Sequence, residues 1–285
     1  MTGLNSLPFT KMHGLGNDFI LLNGFTEPLT LSTELIRKLA HRRLGIGCDQ
    51  LIVVEKPTNR NADFFYRIYN NDGSEAGQCG NGARCFAIYV STHGLTPKKK
   101  LRLQTLTSVI ETKIEDNGDV SVDMGAPIFD PKKVPFTGGA GAIVESIDLL
   151  GESVPISVLS MGNPHAVQVV PNILEAPVST QGSFLETHVR FPKGVNAGYM
   201  QVVSKDHIRL RVWERGVDEE TMACGTGACA AVVAGIRRGL LNDLVTVETK
   251  GGFLSVYWDS SKPDSSVILR GPTVTSFEGV WTQPT

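Results

Sequence analysis

Two stretches decide how this chain reads: CGNGARCFAIYVSTHGL from Cys79 to Leu95, and CGTGACAAVVAGIRRGL from Cys224 to Leu240. Laid on one another without gaps, Cys79, Gly80, Gly82, Ala83, Gly94 and Leu95 meet Cys224, Gly225, Gly227, Ala228, Gly239 and Leu240. Glu75 and Glu220 also align, each four residues before its cysteine. The offset of 145 (224 − 79) is close to half of the 285 residues. Working outward, Leu15-Gly16-Asn17 echoes Met161-Gly162-Asn163 at an offset of 146 (161 − 15). Alternating runs precede each cysteine, Tyr66-Arg67-Ile68-Tyr69 and Leu210-Arg211-Val212-Trp213, and both read as half-buried strands. Self-similarity at this spacing implies two similar halves. The alternative is two unrelated Gly-rich helix starts.

Each half reads as strand, turn, helix, then several strands. Ser32 is suited to cap a first helix running through Thr33 to Arg42, with Glu34 in its first turn. Its counterpart in the second half is placed at Ile173 to His188. Short strands are expected around Leu101–Val109, Val120–Met124, Val154–Leu159, Ala166–Val170 and Val245–Glu248. The expected class is therefore α+β, with largely antiparallel sheet wrapped on helices. Gly138-Gly139-Ala140-Gly141, after Pro131 and Pro135, is the expected linker. The halves divide between Gly125 and Gly141, and the division is drawn as residues 1–125 and 126–270.

Composition narrows the function. At 41% hydrophobic and 20% charged residues the chain is globular, and it is long enough to bury a core without staples. A formal charge of −2 and a single basic run, Lys98-Lys99-Lys100, argue against nucleic acid as a partner. Met1 to Pro8 lacks the basic and apolar regions of a signal peptide, and no stretch of about 18 apolar residues is present, so no membrane span is expected. A cytoplasmic home follows, where Cys48, Cys79, Cys85, Cys224 and Cys229 would stay reduced.

Each C-G-x-G opens a helical run, Ala83 to Thr92 and Ala228 to Arg238. The glycines allow a tight turn and close approach of a ligand. The first N–H groups of a helix have no internal partners and carry partial positive charge, so a carboxylate binds well there and a cysteine there has its thiolate favoured. One such cysteine suggests a nucleophile. Two, related by duplication, suggest an acid and a base on opposite faces of one carbon, with both helix starts stabilising the charge that grows as an α-proton leaves. Zinc is disfavoured, because Cys79/Cys85 and Cys224/Cys229 share no helix face and lack C-x-x-C spacing. Cys85 and Cys229 read as small buried hydrophobes and Cys48, without a repeat partner, as structural. A packing role for Cys79 and Cys224 beside Gly-rich turns is the remaining alternative.

Polar residues gather around these starts. Asn17 can bond a ligand or serve its turn, and Asn163 raises the same question. His165 is either a satisfied core histidine or a group that tunes a nearby thiol. Leu210, Val212 and Glu214 share a strand face, so Glu214 extends an apolar face inward and needs a partner. Arg215, aligned with Asn70, is suited to a bidentate grip on a carboxylate, or to a structural pair with Glu214.

The motifs KMHGLGNDF (Lys11–Phe19), GIGCDQL (Gly45–Leu51), YNNDGSEAGQCGNGARC (Tyr69–Cys85), GNPH (Gly162–His165), ERG (Glu214–Gly216) and ACGTGACA (Ala223–Ala230) closely resemble those of the diaminopimelate epimerases. The similarity covers nearly the whole chain. It implies interconversion of LL- and meso-diaminopimelate, in lysine and cell-wall precursor synthesis, without pyridoxal phosphate, metal or nucleotide. It assigns catalysis to Cys79 and Cys224 and substrate contacts to Asn17, Gln50, Asn70, Gly80, Asn81, Asn163, Asn196, Glu214, Arg215, Gly225 and Thr226. It gives His165 and Glu214 the tuning of the thiols. The implied fold is two pseudo-symmetric halves, each a sheet curled around a central helix, with a last strand, 271–285, returning to the first half. Members are often homodimers, and Phe277 stands where some have a dimer-contacting Tyr. Cys48 replaces a usual Phe, and Thr226 a common Ser.

Overall fold

A computed structural model describes residues 6–217 and 219–282. The chain forms two compact units, the first of Met1–Val122 with Gly271–Thr285 and the second of Asp123–Arg270. In chain order, unit 1 begins with strands β1 (Ser6–Gly14) and β2 (Asn17–Asn23), helix α1 (Thr33–Ala40) and strands β3 (Gln50–Glu55), β4 (Phe64–Asn70) and β5 (Glu75–Ala76). Helix α2 (Gly80–Thr92) and strands β6 (Lys100–Gln104), β7 (Val109–Ile114) and β8 (Val120–Asp123) follow. Unit 2 runs through β9 (Glu145–Leu149), β10 (Glu152–Ser160), β11 (Pro164–Val169), a 3-10 turn (Ile173–Glu175) and helix α3 (Val178–Glu186). It continues with β12 (Asn196–Ser204), β13 (His207–Glu214), β14 (Glu219–Glu220), helix α4 (Gly225–Arg237), β15 (Leu244–Thr249), β16 (Gly252–Tyr257) and β17 (Ile268–Gly271). The chain then supplies β18 (Val274–Thr282) to unit 1.

The strand pairings carry the repeat more fully than the residues do. In unit 1, β1–β2 is antiparallel, β2–β3 parallel, β3–β4 and β4–β5 antiparallel, β4–β6 parallel, and β6–β7 and β7–β8 antiparallel. In unit 2, β10–β11 is antiparallel, β11–β12 parallel, β12–β13 and β13–β14 antiparallel, β13–β15 parallel, and β15–β16 and β16–β17 antiparallel. Advancing each strand by nine turns the first set into the second. The same rule maps β9, antiparallel to β10, onto β18, antiparallel to β1. This is the expected α+β fold, two similar and mostly antiparallel sheets.

Each sheet curls around a helix with little polar surface. In α4 every residue except Thr226 and Arg237 is buried, and the helix packs against β10, β11, β12, β13 and β16. A helix apolar on all sides belongs inside a core. Its Ala and Gly residues are what let strands close on it from several directions. Helix α2 is buried from Gly80 to Ala87 and packs against β1, β2, β3 and β7. Cys85 and Cys229 are wholly buried in these helices, as expected of small core residues.

Helix α1 is the contrasting surface helix. Ser32 Oγ accepts from Leu35 N at 3.1 Å, with Glu34 in the first turn and Arg37 and Lys38 in the last. It ends at Ala40 rather than Arg42, because His41 takes an extended conformation and its carbonyl receives Gly45 N. The expected helix from Ile173 to His188 is split in two by Pro177, which has no N–H to continue the ladder. The single strand expected at Leu101–Val109 is two strands. Thr105 Oγ1 receives Ser108 N at 3.0 Å and turns the chain between them. The Gly138–Gly141 stretch, expected as a linker, lies inside unit 2. Arg190 donates to Thr137 O (2.9 Å) and Gly138 O (3.0 Å), and Glu145 accepts Ala140 N at 2.8 Å. No helix among the described residues is long and apolar enough to cross a membrane.

Candidate active site

In unit 1, Cys79 is the N-cap residue of α2, extended at φ −145° and ψ 120°, and half-buried. The N–H groups of Gly80, Asn81 and Gly82 precede the first helical bond, Ala83 N to Cys79 O at 2.8 Å. Below, the Tyr66 hydroxyl donates to Cys79 O at 3.0 Å. Gly82 is required here, since a Cβ at that position would stand 2.3 Å from the Tyr66 oxygen.

The Cys79 thiol donates to Asn17 Oδ1 at 3.7 Å, and Asn81 Nδ2 donates to the same oxygen at 3.2 Å. Asn17 opens β2 directly after the two-residue turn Leu15–Gly16, where Leu15 holds a left-handed φ of 58°. Such a conformation costs a non-glycine residue on the order of 1–2 kcal/mol and is tolerated where the surroundings over-determine it. Asn17 Nδ2 donates to Asp49 Oδ2 at 2.9 Å. Asp49 and Asp18 are bridged by Arg42, and Asp18 also meets Lys11 at 2.6 Å. Lys11 Nζ reaches Gly47 O as well. Burial works to raise the Asp18 pKa, but the bonds from Arg42 and Lys11 outweigh it and hold this carboxyl well below the usual range. One register position on, Gln50 Nε2 donates to Asn70 Oδ1 at 2.9 Å across β3 and β4.

In unit 2, Cys224 is the N-cap residue of α4, at φ −109° and ψ 112°, and 4% exposed. Its sulfur accepts Gly227 N at 3.4 Å and lies 3.5 Å from Thr226 Oγ1. An N–H aimed at sulfur favours the thiolate. A Cβ on Gly227 would sit 3.2 Å from that sulfur and 3.0 Å from Val212, so glycine preserves the approach. Glu214, at the end of β13, accepts the Thr221 hydroxyl at 2.9 Å. Asn196, 1% exposed, donates to Pro164 O (2.9 Å) and accepts Arg215 N (3.0 Å). His165 pairs with Asn196 in the β11–β12 register and donates from Nε2 to Asn163 Oδ1 at 3.0 Å. Burial, with Arg215's charge adding to it, pushes its imidazole down to about 3, so it is neutral near pH 7. The Arg215 guanidinium donates to Lys193 O at 3.0 Å.

Within unit 1, then, Asn17, Cys79 and Asn81 form one hydrogen-bonded cluster, and Gln50 and Asn70 a second. Within unit 2, Asn163, His165, Asn196 and Arg215 form a chain, and Gly225 and Thr226 stand at the Cys224 helix start. Phe277 lies on β18, 51% exposed, edge-on to Phe9 at 5.8 Å, and joins none of these clusters. Cys48 is buried, its thiol pushed up to about 12 by desolvation, which suits a structural role. Sequence reasoning passed over Asp18, Arg42, Asp49, Tyr66 and Glu186. Glu186 accepts Trp213 Nε1 (2.7 Å) and Gly216 N (2.8 Å) and so holds the turn that carries Glu214 and Arg215. Among the described residues no group of three or more His, Cys, Asp or Glu side chains is arranged to hold a metal ion.

The sequence model of the diaminopimelate epimerase family matches residues 9–129 and 157–275. A diaminopimelate epimerase from Aromatoleum aromaticum is 53% identical over 274 residues, covering 96% of this chain and 98% of its own. The chain belongs to the diaminopimelate epimerase family. Family relatives from Paraburkholderia xenovorans and Nitrosomonas europaea, of the same description, are 52% and 53% identical, over 96% of this chain and 97% and 98% of theirs. Among solved structures, a hydroxyproline epimerase from Agrobacterium vitis superposes with a TM-score of 0.71 at 12% identity, covering 99% of this chain and 94% of that one. A phenazine biosynthesis protein of Bacillus anthracis gives 0.69 at 16%, covering 98% and 99%. At these identities the likeness is one of fold, and it places the family's duplicated architecture beside other proteins of that shape.

Proposed function

We propose that this chain interconverts LL- and meso-diaminopimelate by passing a proton between two thiols, Cys79 and Cys224, without a cofactor. One thiolate takes the α-proton and becomes a thiol, and the bonding electrons remain on a planar carbon conjugated with the carboxylate. The other thiol delivers its proton to the opposite face and becomes the thiolate. Configuration inverts, a solvent-exchangeable thiol proton replaces the carbon-bound one, and nothing is oxidised or reduced. The observation that carries this reading is the repeat: in each half a cysteine caps the equivalent helix start. Membership of a family whose relatives bear this name supports the substrate.

The helix-start N–H groups at Gly80, Asn81, Gly225 and Thr226 bind the reacting carboxylate and take up charge as the proton leaves. A single donor of this kind is worth about 3–4 kcal/mol in a transition state. Asn17, Gln50, Asn163 and Glu214 contact the substrate. Asn70, Asn196 and Arg215 recognise its distal amino-acid end, which a proline substrate lacks. His165, as a neutral imidazole, and Glu214 set the proton affinity of the thiols. The halves are residues 1–125, with 271–285, and 126–270. The enzyme works in the cytoplasm as a homodimer, with β18 and Phe277 at the contact.

The test is LL-diaminopimelate in heavy water, followed by NMR. The expected product is meso-diaminopimelate with deuterium at one α-carbon, formed after dialysis against chelator and hydroxylamine. Cys79→Ser and Cys224→Ser should each nearly abolish it, because an alcohol is a far weaker acid than a thiol. Full turnover in either variant, or inversion of proline but not diaminopimelate, would overturn the reading.

A further inference from the structure

The two thiols are not held alike. Cys224 Sγ receives a backbone N–H, whereas Cys79 Sγ faces the carbonyl oxygen of Asn17. A primary amide has two ends of nearly equal size, and either would fit beside the sulfur. What decides between them is on the far side of Asn17. Asp49 Oδ2 takes both Asn17 Nδ2 (2.9 Å) and Asp18 N (3.0 Å), while its Oδ1 takes Arg42 Nη2 at 2.5 Å. A carboxylate bound to a guanidinium offers only acceptors. Asn17 must therefore turn its NH2 toward Asp49 and its oxygen toward Cys79. Asn81 Nδ2, donating to that oxygen at 3.2 Å, agrees with the same orientation from another direction. In the second half Asn163, the counterpart of Asn17, spends its carbonyl on His165.

We propose that Asp49 is a positioning residue: by fixing the Asn17 amide it presents an acceptor to Cys79, so that in the substrate-free enzyme Cys79 carries the proton and Cys224 is the thiolate. This rests on the reading of the two cysteines as the reacting pair, and it names which of them starts as acid. A carbonyl oxygen accepts S–H and repels a sulfur anion, whereas N–H does the reverse. His165 and Glu214, which tune the thiols in the proposed function, are common to the wild-type protein and the variants below, and so, Asp49 apart, are the ionisable groups of unit 1 near Cys79. Tyr66 on β4 is pushed well above its usual value by burial, with Cys79's own charge adding to the effect, and Cys85 on α2 is pushed up to about 12, so both stay neutral. Arg84 on α2 keeps its charge throughout. Lys11 on β1 and Asp18 on β2 are bound to each other, and His13 in the same hairpin accepts Gly16 N at 3.3 Å. None of these differs between the wild-type protein and the variants below.

The experiment measures iodoacetamide alkylation of Cys79 and Cys224 separately, by peptide mass spectrometry, in the substrate-free chain across a range of pH. In the wild type the midpoint for Cys79 should lie above that for Cys224. In Asp49→Asn, one side of residue 49 becomes a donor, Arg42 and Asn17 cannot both be satisfied, and the Asn17 amide can turn. The Cys79 midpoint should then fall by about one pH unit, a tenfold gain in thiolate below it, with Cys224 unmoved. Asn17→Ala should lower the Cys79 midpoint by itself, and adding Asp49→Asn to it should change nothing further. A Cys79 midpoint unmoved by folded Asp49→Asn, a shift shared by both cysteines, or an undiminished effect in the Asn17→Ala background overturns the proposal. Should Asp49→Asn not fold, an unmoved midpoint in Asn17→Ala overturns it. Alkylation requires no turnover, so this result and the isotope test fail independently.

Discussion

Gly82→Ala is the sharpest single-residue test of how α2 is seated. The added Cβ would stand 2.3 Å from the Tyr66 oxygen, 3.1 Å from Ile52 Cδ1 and 3.2 Å from Phe19 Cε1. An ordinary contact needs about 3.4 Å or more, so the hydroxyl must retreat by roughly 1 Å. Tyr66 has little room to do so. It is 1% exposed and packed edge-on against Phe86 at 5.3 Å. Overpacking of this kind costs about 1–3 kcal/mol. Retreat also breaks the bond to Cys79 O, worth about 1 kcal/mol and more if the hydroxyl is left unsatisfied. Against this, Ala gains about 1 kcal/mol over Gly inside a helix. The net expectation is a loss of about 2 kcal/mol, read as a lower urea midpoint at unchanged slope. Because the carbonyl of the helix-capping cysteine loses its tether, epimerase activity should fall beyond what the unfolded fraction explains. A variant as stable as the parent, or more stable, would refute the seating of Tyr66 under Cys79.

Three further outcomes are expected. His165 has its proton affinity depressed by folding, so the unfolded chain protonates first as pH falls. Stability should therefore decline between pH 6.5 and about 3, by at most about 1.4 kcal/mol per pH unit from this group, and His165→Gln should flatten that part of the curve in urea titrations. Gly94 and Gly239 follow α2 and α4 with φ of 67° and 70° and open space around a would-be Cβ; Gly94→Ala and Gly239→Ala should each cost about 1 kcal/mol, and Gly94→Asn should cost less. Phe277→Asp should shift the protein to monomer by light scattering at matched concentration, and an unchanged mass would remove β18 from the dimer contact.

The repeat was readable because two helix starts with the same task need the same small residues around a cysteine, and those residues are contiguous. Ser32 was readable for a similar reason, since a cap acts within one turn. The failures are of the opposite kind. Thr105 to Ser108 turns through its own side chains, without Gly or Pro to mark it. Pro177 interrupts a run that otherwise has helical spacing. The supports of the site lay further out of reach. Asp49 meets Asn17 across 32 residues, through the parallel β2–β3 crossing, and Glu186 meets Trp213 across 27. Residue types announce that such groups need partners, but only sheet register says which. That His165 is buried and neutral was likewise out of reach, since its burial depends on strands distant in the chain.

The pairing of β18 with β1 has a consequence for how the protein is made. A ribosome releases the chain in order, and every strand of unit 2 emerges before β18 does. Unit 2 is one uninterrupted segment, so it can complete its sheet during synthesis. Unit 1 must wait with β1 bordered on one side only until residues 274–282 appear. During that interval β1 offers an open edge to any passing strand, its own late partner or that of a neighbouring polypeptide. Strand exchange between nascent copies is therefore the misassembly to which this architecture is most exposed, and a slowed translation of the segment before Val274 should increase it.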